Sequence, residues 1–435
     1  MASTCLYLHI HQPFRVKQFK PLDIGEDADY FNHDGENDLN NARVLQKVAR
    51  KSYVPTMDLL LALLHRHPEF RVSFSVSGVV LEQLLAFAPE VIERLKALAA
   101  TGRVEFLGET YYHSLAFFYS RPEFERQVKK HRTLLKNLFG VEPKVFRNTE
   151  LAYTNELGRW ADENGYDGIL AEGWDPVIGW KSPNFVYRPL GTKRTRLLLK
   201  NYKLSDDIAF RFSSHDWAEW PLTAEKYAQW INAVNGNGET VNLFMDFETF
   251  GEHQWEETGI FYFLENLVPE LLKNPDNDFK TPSEVIAAYP VRDEIDVPHI
   301  LTWADTDRDL TAWTGNAMQR EALRSLYELE TAALRAPHSL RDAWRKLQTS
   351  DHFYYMCTKW FADGDVHAYF SPYQTPYDAH TSFMNVLGDL RLRLEELASE
   401  TEPAYSRGTV RLGRAARSAG SRGYDGGVQL GTLIT

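Results

Sequence analysis

The composition of the chain indicates a globular protein. Of its 435 residues, 43% are hydrophobic, which is enough to build one large domain with a smaller appendage. The formal net charge is -12, so the overall field repels nucleic acid and anionic membrane surfaces. We therefore expect a neutral or cationic partner, and neither nucleic acid nor membrane.

The first residues, MASTCLYLHIHQPF, carry no basic segment followed by a long apolar core, and no run of about eighteen apolar residues occurs in the chain. This pattern predicts a soluble, cytoplasmic protein. Cys5 and Cys357 are the two cysteines, too few for a disulfide framework, and we expect both to be reduced thiols.

Short β-rich runs alternate with segments of helical periodicity. Strands are predicted at 4–10, 71–76, 103–107, 144–148, 168–171, 195–200 and 241–246. Helices are predicted at 44–66, 79–100, 121–139, 155–164 and 223–235, with Gly102, Gly140 and Gly165 at helix ends. Alternating strands and helices predict a parallel α/β sheet, and continuous apolar strands indicate burial on both faces, as in a barrel or a doubly wound sheet.

The strand signal fades after about residue 290, and 316–334, 340–349 and 376–399 have the pattern of amphipathic helices. We therefore predict a domain that contains the strands over 1–295 and a helical C-terminal domain over 296–404. The Gly-, Ser- and Arg-rich residues 405–435 are predicted to be a disordered tail.

Polar residues cluster at the C-terminal ends of the predicted strands. His9 and His11 end the first strand, and acidic residues follow four others: Glu109, Glu150, Glu172 with Asp175, and Asp246. Catalytic residues at the C-terminal ends of several parallel strands are typical of a TIM-like barrel.

His9 and His11 lie two positions apart and should face the same side of their strand. Two imidazoles on one face favour a Zn²⁺ site, polar contacts to a substrate, or a structural role. No second cluster in the sequence supplies obvious further metal ligands, so substrate contacts are the preferred interpretation.

The stretch VFRNTELAYTNELG places Glu150 at a strand end, three residues after Arg147. A nearby arginine would keep this carboxylate ionised, as a nucleophile requires, although a polar helix start is the simpler alternative. The stretch VNLFMDFETFGEHQW ends an apolar run at Asp246, and apolar surroundings would raise its pKa, as suits a general acid. His253 and Trp255 then offer a polar contact and a stacking surface.

A third stretch, TWADTDRDLTAWTGNAMQ, combines tryptophan with aspartate. Trp303, Asp305, Asp309 and Trp313 form a predicted loop before a helix that begins near Asn316. Tryptophan stacks on sugar rings while aspartate binds hydroxyl groups, although a purely structural loop is equally compatible with the pattern.

Together these motifs resemble, in order, the five sequence regions of glycoside hydrolase family 57. The matching stretches are HQP (11–13), GRVEFLGETYYHSL (102–115), RNTEL (147–151), MDFETFGEHQW (245–255) and TWADTDRDLTAWTGNAMQ (302–319). The family comprises α-amylases, 4-α-glucanotransferases, branching enzymes and amylopullulanases. The resemblance implies an incomplete (β/α)7 TIM-like barrel followed by a C-terminal helical bundle, and an α-glucan or maltooligosaccharide substrate.

The resemblance also implies roles for individual residues. Glu150 falls on the catalytic nucleophile and Asp246 on the general acid/base of a retaining mechanism. Neither a metal nor another cofactor is implied. The positions in or near the stretches that line the family's sugar-binding cleft are His11, Glu109, His113, Trp174, Trp255, Trp303, Asp305 and Asp309.

Three alternatives to an α-amylase-like hydrolase remain at this point. A 4-α-glucanotransferase would use the same two carboxylates with a sugar hydroxyl as acceptor. A metal-dependent polysaccharide deacetylase would use the histidines as ligands, and a silent glucan-binding protein would use neither carboxylate for chemistry.

Overall fold

The structure is a computed structural model that describes residues 2–359 and 370–401. All seven predicted strands form, and three short strands of two residues each accompany them. The strands are β1 Ser3–Ile10, β2 Val72–Val76, β3 Val104–Phe106, β4 Val145–Phe146, β5 Gly168–Glu172, β6 Arg188–Pro189, β7 Arg196–Lys200, β8 Thr240–Asp246, β9 Asp278–Phe279 and β10 Glu294–Ile295. The unpredicted strands β6, β9 and β10 are too short to leave a periodic signal.

The seven predicted strands form the wall of a barrel in which all paired strands are parallel. One sheet has the order β3-β2-β1-β8 with β9 beside β1, a second has the order β4-β5-β7, and β6 pairs with β10. Main-chain hydrogen bonds connect the two larger sheets at both junctions. Gly108 N donates to Val145 O at 2.9 Å and Arg147 N to Gly108 O at 2.8 Å, while Asn201 N donates to Asn242 O at 2.9 Å. The seven strands, in the order β1-β2-β3-β4-β5-β7-β8, form the incomplete (β/α)7 barrel that the family resemblance implies, with one strand fewer than the eight of a TIM barrel.

Most residues of the barrel strands are buried, as their apolar sequences predict, and β3 is the most exposed of these strands. Every residue of β1 is buried, and the same holds for β2 and β5. In the register between β1 and β8, His9 lies opposite Asp246. The parallel pairing thus brings an imidazole and a carboxylate together at one end of the barrel, although 237 positions of sequence numbering separate them.

Helices surround the barrel and connect its strands. They are Asn41–Val48, Val54–Arg66, Gly78–Phe87, Pro89–Ala100, Arg121–Phe139, Asn155–Glu163, Asp175–Ile178, Tyr202–Ala209, Ala224–Asn232, Ile260–Leu272 and Pro282–Ala288. Two predicted helices are each divided. A π-helical turn, Ala49–Tyr53, interrupts the first, and the second restarts at Pro89, whose ring lacks the N–H that an uninterrupted helix needs.

The C-terminal region is helical, as predicted. Its helices are Thr311–Thr314, Ala317–Glu328, Glu330–Arg335, His338–Lys346, Asp351–Tyr354 and Pro376–Thr401. The last helix buries Phe383, Val386 and Leu390 in a core to which Val16 and Phe19, from the segment after β1, also contribute. The predicted domain limits at 295 and 404 stay a prediction, and the predicted tail lies outside the described residues.

No helix within residues 2–359 and 370–401 is long and apolar enough to cross a membrane.

Candidate active site

A cleft of about 510 Å³ opens at the C-terminal ends of the barrel strands. His9 from β1, Lys200 from β7 and Asp246 from β8 line it, together with Glu150 and Trp303 from the connecting loops. Asp351, Tyr354 and Tyr355 from the helical region also line the cleft. The barrel and the helical region therefore build the cleft jointly.

Glu150 lies in a tight turn directly after β4. Its backbone has φ 57° and ψ 25°, and the next residue, Leu151, has φ 50°. Two successive non-glycine residues in the left-handed region are costly and persist only where surrounding contacts enforce them. One such contact is the main-chain hydrogen bond from Trp303 N to Glu150 O at 3.2 Å. The turn directs the Glu150 side chain into the cleft.

Two donors hold the Glu150 carboxylate. His113 Nε2 lies 3.0 Å from Oε1, and the indole Nε1 of Trp303 donates to Oε2 at 2.8 Å. Burial opposes the charge of Glu150, but the hydrogen bond and charge of His113, the charge of Arg147 and the Trp303 hydrogen bond outweigh it, so the pKa of Glu150 is lowered. The carboxylate is ionised at neutral pH, and Arg147 contributes to this as the sequence predicts.

Asp246, the last residue of β8, is the second carboxylate in the cleft. Its Oδ1 lies 3.5 Å from His9 Nδ1, and its side chain is 42% exposed. The expectation that apolar surroundings raise its pKa is wrong. Burial acts in that direction, but the His9 hydrogen bond and the charges of His9, His253 and Arg147 outweigh it, so the pKa of Asp246 is lowered.

Behind the two carboxylates lies a buried layer formed by His9, Glu109 and His113. Glu109 Oε2 is 3.4 Å from His9 Nε2 and 3.5 Å from His113 Nδ1. Burial lowers the pKa of His113, yet the hydrogen bonds to Glu109 and Glu150 raise it to about 9. His113 is therefore an imidazolium at neutral pH, with one N–H directed at Glu109 and the other at Glu150.

His11 stacks on His113, with ring centroids 3.9 Å apart. Its Nδ1 lies 2.6 Å from Ser77 Oγ, and its Nε2 lies 3.0 Å from Asp351 Oδ2. Burial and the neighbouring charge of His113 lower the pKa of His11 to about 4. A neutral imidazole thus lies against a charged one.

The histidines and acids form two groups of the residue types that bind metals. In each group, His9 with Glu109 and His113, and His11 with His113 and Asp351, the donor atoms lie within 4.8 Å of one another. The sequence shows no local cluster of further ligands beside His9 and His11, but the fold brings Glu109, His113 and Asp351 close to them from other segments. A protonated His113 opposes metal binding, since an imidazole must be neutral to coordinate. The absence of a required metal stays a prediction.

Glu248, two residues after Asp246, is buried and lines the same cleft. The hydroxyl of Tyr53 donates to its Oε1, and Gln12 Nε2 donates to the same atom at 3.5 Å. Burial and the charge of Asp246 raise the pKa of Glu248 to about 8. At neutral pH the two carboxyls Asp246 and Glu248 therefore carry one proton between them, and it resides on Glu248.

The other predicted binding residues fall into three groups. His11, His113, His253, Trp303 and Asp305 line the cleft, whereas Glu109 lies behind it and contacts His9 and His113.

Trp174, Trp255 and Asp309 are not among the described residues that line the cleft. Trp255 is 56% exposed and lies under the Lys51 ammonium group at 5.7 Å, while Asp309 accepts hydrogen bonds from Thr311. Sugar binding by any of these predicted residues stays a prediction.

Sequence reasoning missed Asp351 and Tyr53. Asp351 hydrogen-bonds to His11, which is 340 positions away in the sequence, and Tyr53 hydrogen-bonds to Glu248, which is 195 positions away. Neither residue belongs to a motif, and no local pattern marks it, because only the chain fold brings it to the cleft. Glu252, which also lines the cleft, is paired with Lys47 at 2.9 Å.

Comparison with known proteins identifies the family. The chain is 40% identical over 406 residues to a protein of Methanocaldococcus jannaschii named putative alpha-amylase, and the match covers 90% of this chain and 85% of that protein.

Two solved structures share the fold. The branching enzyme of Pyrococcus horikoshii has a TM-score of 0.67 at 14% identity, covering 92% of this chain and 91% of that one. The 4-alpha-glucanotransferase of Thermococcus litoralis has a TM-score of 0.63 at 16% identity, covering 90% of this chain but only 60% of that one.

The sequence profile of glycosyl hydrolase family 57 matches residues 5–298. This match covers more than half of the chain, and it agrees with the resemblance carried by the five stretches and with the barrel that the strands build. The chain is a glycoside hydrolase and belongs to glycosyl hydrolase family 57.

Proposed function

We propose that the protein cleaves α-1,4-glucosidic bonds of α-glucans by a retaining double displacement, in the manner of an α-amylase. The observation that carries the proposal is the pairing of Glu150 and Asp246 in one cleft. The two carboxylates come from different strand ends. Asp246 contacts His9 and Glu150 contacts His113, and both imidazoles lie within 3.5 Å of Glu109 Oε2. Two carboxyl groups that act on the same glycosidic bond are what a retaining glycosidase needs, and both line this cleft.

Glu150 acts as the nucleophile in this proposal. Its ionised carboxylate attacks the anomeric carbon and forms a covalent glycosyl-enzyme. The donors His113 and Trp303 hold its two oxygens in a fixed orientation, at 3.0 and 2.8 Å. A preorganised nucleophile loses less entropy on reaching the transition state.

Asp246 protonates the leaving oxygen and then deprotonates the acceptor. Because its pKa is lowered, Asp246 needs a proton source in the free enzyme. The neighbouring Glu248, with a pKa raised to about 8, holds one at neutral pH. We propose that a bound sugar displaces water from the partly exposed Asp246 and raises the pKa of Asp246 by desolvation. The proton of Glu248 then transfers to Asp246.

The names of similar proteins support an α-glucan substrate. A relative that matches over most of its length is named a putative alpha-amylase, and two of the structures with the same fold are a branching enzyme and a 4-alpha-glucanotransferase. A neutral glucan also suits a chain with a formal net charge of -12.

Incubation with maltoheptaose tests the proposal. We expect shorter sugars whose newly formed anomeric centre has the α configuration, detected by proton NMR in the first minutes of the reaction. Longer products as well would identify the 4-α-glucanotransferase that shares this mechanism. The β anomer would exclude retention, and no change in chain length would exclude the hydrolase and the transferase together.

The variant Glu150→Gln tests the nucleophile. It should lower kcat by at least about 10⁴-fold while maltoheptaose binding persists, because only the attacking charge is lost. Glu156→Gln is the matched control, since Glu156 lies on the next helix and pairs with Arg121 on the surface. Full turnover by Glu150→Gln would refute the assignment.

A further inference from the structure

The loop that carries Trp303 is attached to the barrel by a buried group of four charged side chains, which we call the four-charge cluster. Its members are Glu172 at the end of β5, Lys200 at the end of β7, Asp206 on the helix Tyr202–Ala209, and Arg308 in the loop itself. Glu172 is fully buried, and the side chains of the other three are at most 12% exposed. Two acids and two bases make the cluster formally neutral, as burial of charge requires.

Arg308 connects the loop to the barrel. Its Nη1 donates to Glu172 Oε2 at 3.0 Å and also to the main-chain oxygen of Trp303. Its Nη2 donates to Asp206 Oδ2 at 3.2 Å, and Lys200 Nζ donates to Asp206 Oδ1 at 2.9 Å. One planar guanidinium therefore holds two barrel carboxylates and the backbone of the loop together.

The loop needs such attachment because its backbone is strained. Asp305 and Arg308 have φ of 48° and 52°, in the left-handed region that residues with a side chain rarely adopt. Within the loop, Thr302 N donates to Arg308 O at 2.8 Å. Without the contacts of Arg308 to the barrel, relaxation of the loop toward ordinary backbone conformations would move Trp303.

The position of Trp303 matters because its indole N–H donates to Glu150 Oε2 at 2.8 Å. Lys200, a member of the cluster, also places its ammonium group 5.4 Å from the centroid of the Trp303 ring. The cluster therefore contacts Trp303 at its main chain through Arg308 and at its ring through Lys200. Arg308 itself is not among the described residues that line the cleft.

We propose that Arg308 is a positioning residue, which acts through the four-charge cluster and Trp303 to orient the carboxylate of Glu150. The inference rests on the proposed role of Glu150 as the nucleophile. Glu172, which takes no direct part in the proposed mechanism, then serves to bind Arg308.

A double-mutant cycle between Arg308 and Trp303 tests the proposal. Arg308→Met should lower kcat on maltoheptaose by about 10- to 100-fold, the loss expected for one hydrogen bond to a charged group, with KM changed less than about threefold. Trp303→Phe should cause a similar loss. The double variant should be no slower than Trp303→Phe alone, because both changes remove the same hydrogen bond.

A second readout separates positioning from a general structural defect. The Trp303 hydrogen bond is one of the contacts that lower the pKa of Glu150, so Arg308→Met should move the acidic limb of kcat/KM to higher pH. Arg308→Lys should restore part of the activity, because lysine keeps the charge but cannot bridge both carboxylates.

Matched variants guard against unfolding. If Arg308→Met does not fold, the double variant Arg308→Met with Glu172→Gln replaces it, because it keeps the cluster neutral. This double variant should show the fall in kcat of about 10- to 100-fold that is predicted for Arg308→Met. Arg188→Met is the control, since Arg188 pairs with Glu294 at 2.6 Å between β6 and β10 and does not line the cleft.

The role of Arg308 would be overturned if the fall in kcat of the Arg308→Met, Trp303→Phe double variant equalled the product of the two single-variant falls. An unchanged acidic limb of kcat/KM in Arg308→Met would also overturn it. Turnover that survives in Glu150→Gln would instead overturn the proposed function, so the two failures are distinguishable.

Discussion

The protonation of Glu248 can be tested by removing its ability to ionise. Glu248→Gln keeps the shape of the side chain, and the remaining amide oxygen can still accept the hydrogen bond from Tyr53. The pKa of Glu248 is raised from 4.5 to about 8. At about 1.4 kcal/mol per pH unit, the difference corresponds to a free energy of about 5 kcal/mol.

The sign of the effect follows from which state binds the proton more tightly. The folded protein retains the Glu248 proton up to about pH 8, whereas the unfolded chain releases it near pH 4.5. The stabilising contribution is therefore complete below about pH 4.5 and is lost as the pH rises to about 8. Glu248→Gln removes this dependence.

The assay is urea unfolding of both proteins at a series of pH values. Between about pH 5 and about pH 8, the free energy of unfolding of Glu248→Gln should rise relative to that of the wild type by about 4 kcal/mol. Glu252→Gln is the matched control, because Glu252 is ion-paired with Lys47 and Lys51. A difference that stays constant within about 1 kcal/mol would refute the reasoning and remove the proposed proton source of Asp246.

Three further predictions concern the charged donor, the helical core and the metal question. His113→Asn removes the imidazolium that donates to Glu150, so kcat/KM should fall by about 10- to 100-fold and its acidic limb should move to higher pH; an unmoved limb would contradict this electrostatic role. Leu390→Ala opens a cavity where the last helix packs and should lower the free energy of unfolding in urea by about 2 to 5 kcal/mol. Leu392 is 39% exposed on the same helix, so Leu392→Ala should lower it by less than about 0.5 kcal/mol. Equal losses in the two variants would contradict the packing. Dialysis against a chelator should leave maltoheptaose cleavage unchanged, and loss of activity that Zn²⁺ restores would favour the metal-dependent alternative.

The elements that the sequence predicts well are those whose signal is local. The seven barrel strands lie in short, largely apolar runs, and the alternation of strands and helices indicates parallel pairing. Glu150 and Asp246 stand out because each follows such a run. The helix Ile260–Leu272 escaped prediction because its sequence, IFYFLENLVPELL, is apolar on most sides and contains a proline.

The electrostatics of the cleft could not be predicted in the same way. Asp246 has apolar neighbours in sequence, which led to the expectation of a raised pKa. Its neighbours in space include His9 and His253, and these lower the pKa instead. The pKa that rises is instead that of Glu248, two residues further along the chain.

The sequence by itself determined the barrel class, the family resemblance and the two carboxylates at strand ends, because periodicity and short motifs depend on residues close together in the chain. Only the tertiary structure decided which groups surround those carboxylates. Glu109 joins His9 to His113, Asp351 reaches His11 across 340 positions, and Arg308 connects the Trp303 loop to the barrel. Charge states depend on burial and on charges within a few ångströms, and both are properties of the folded chain.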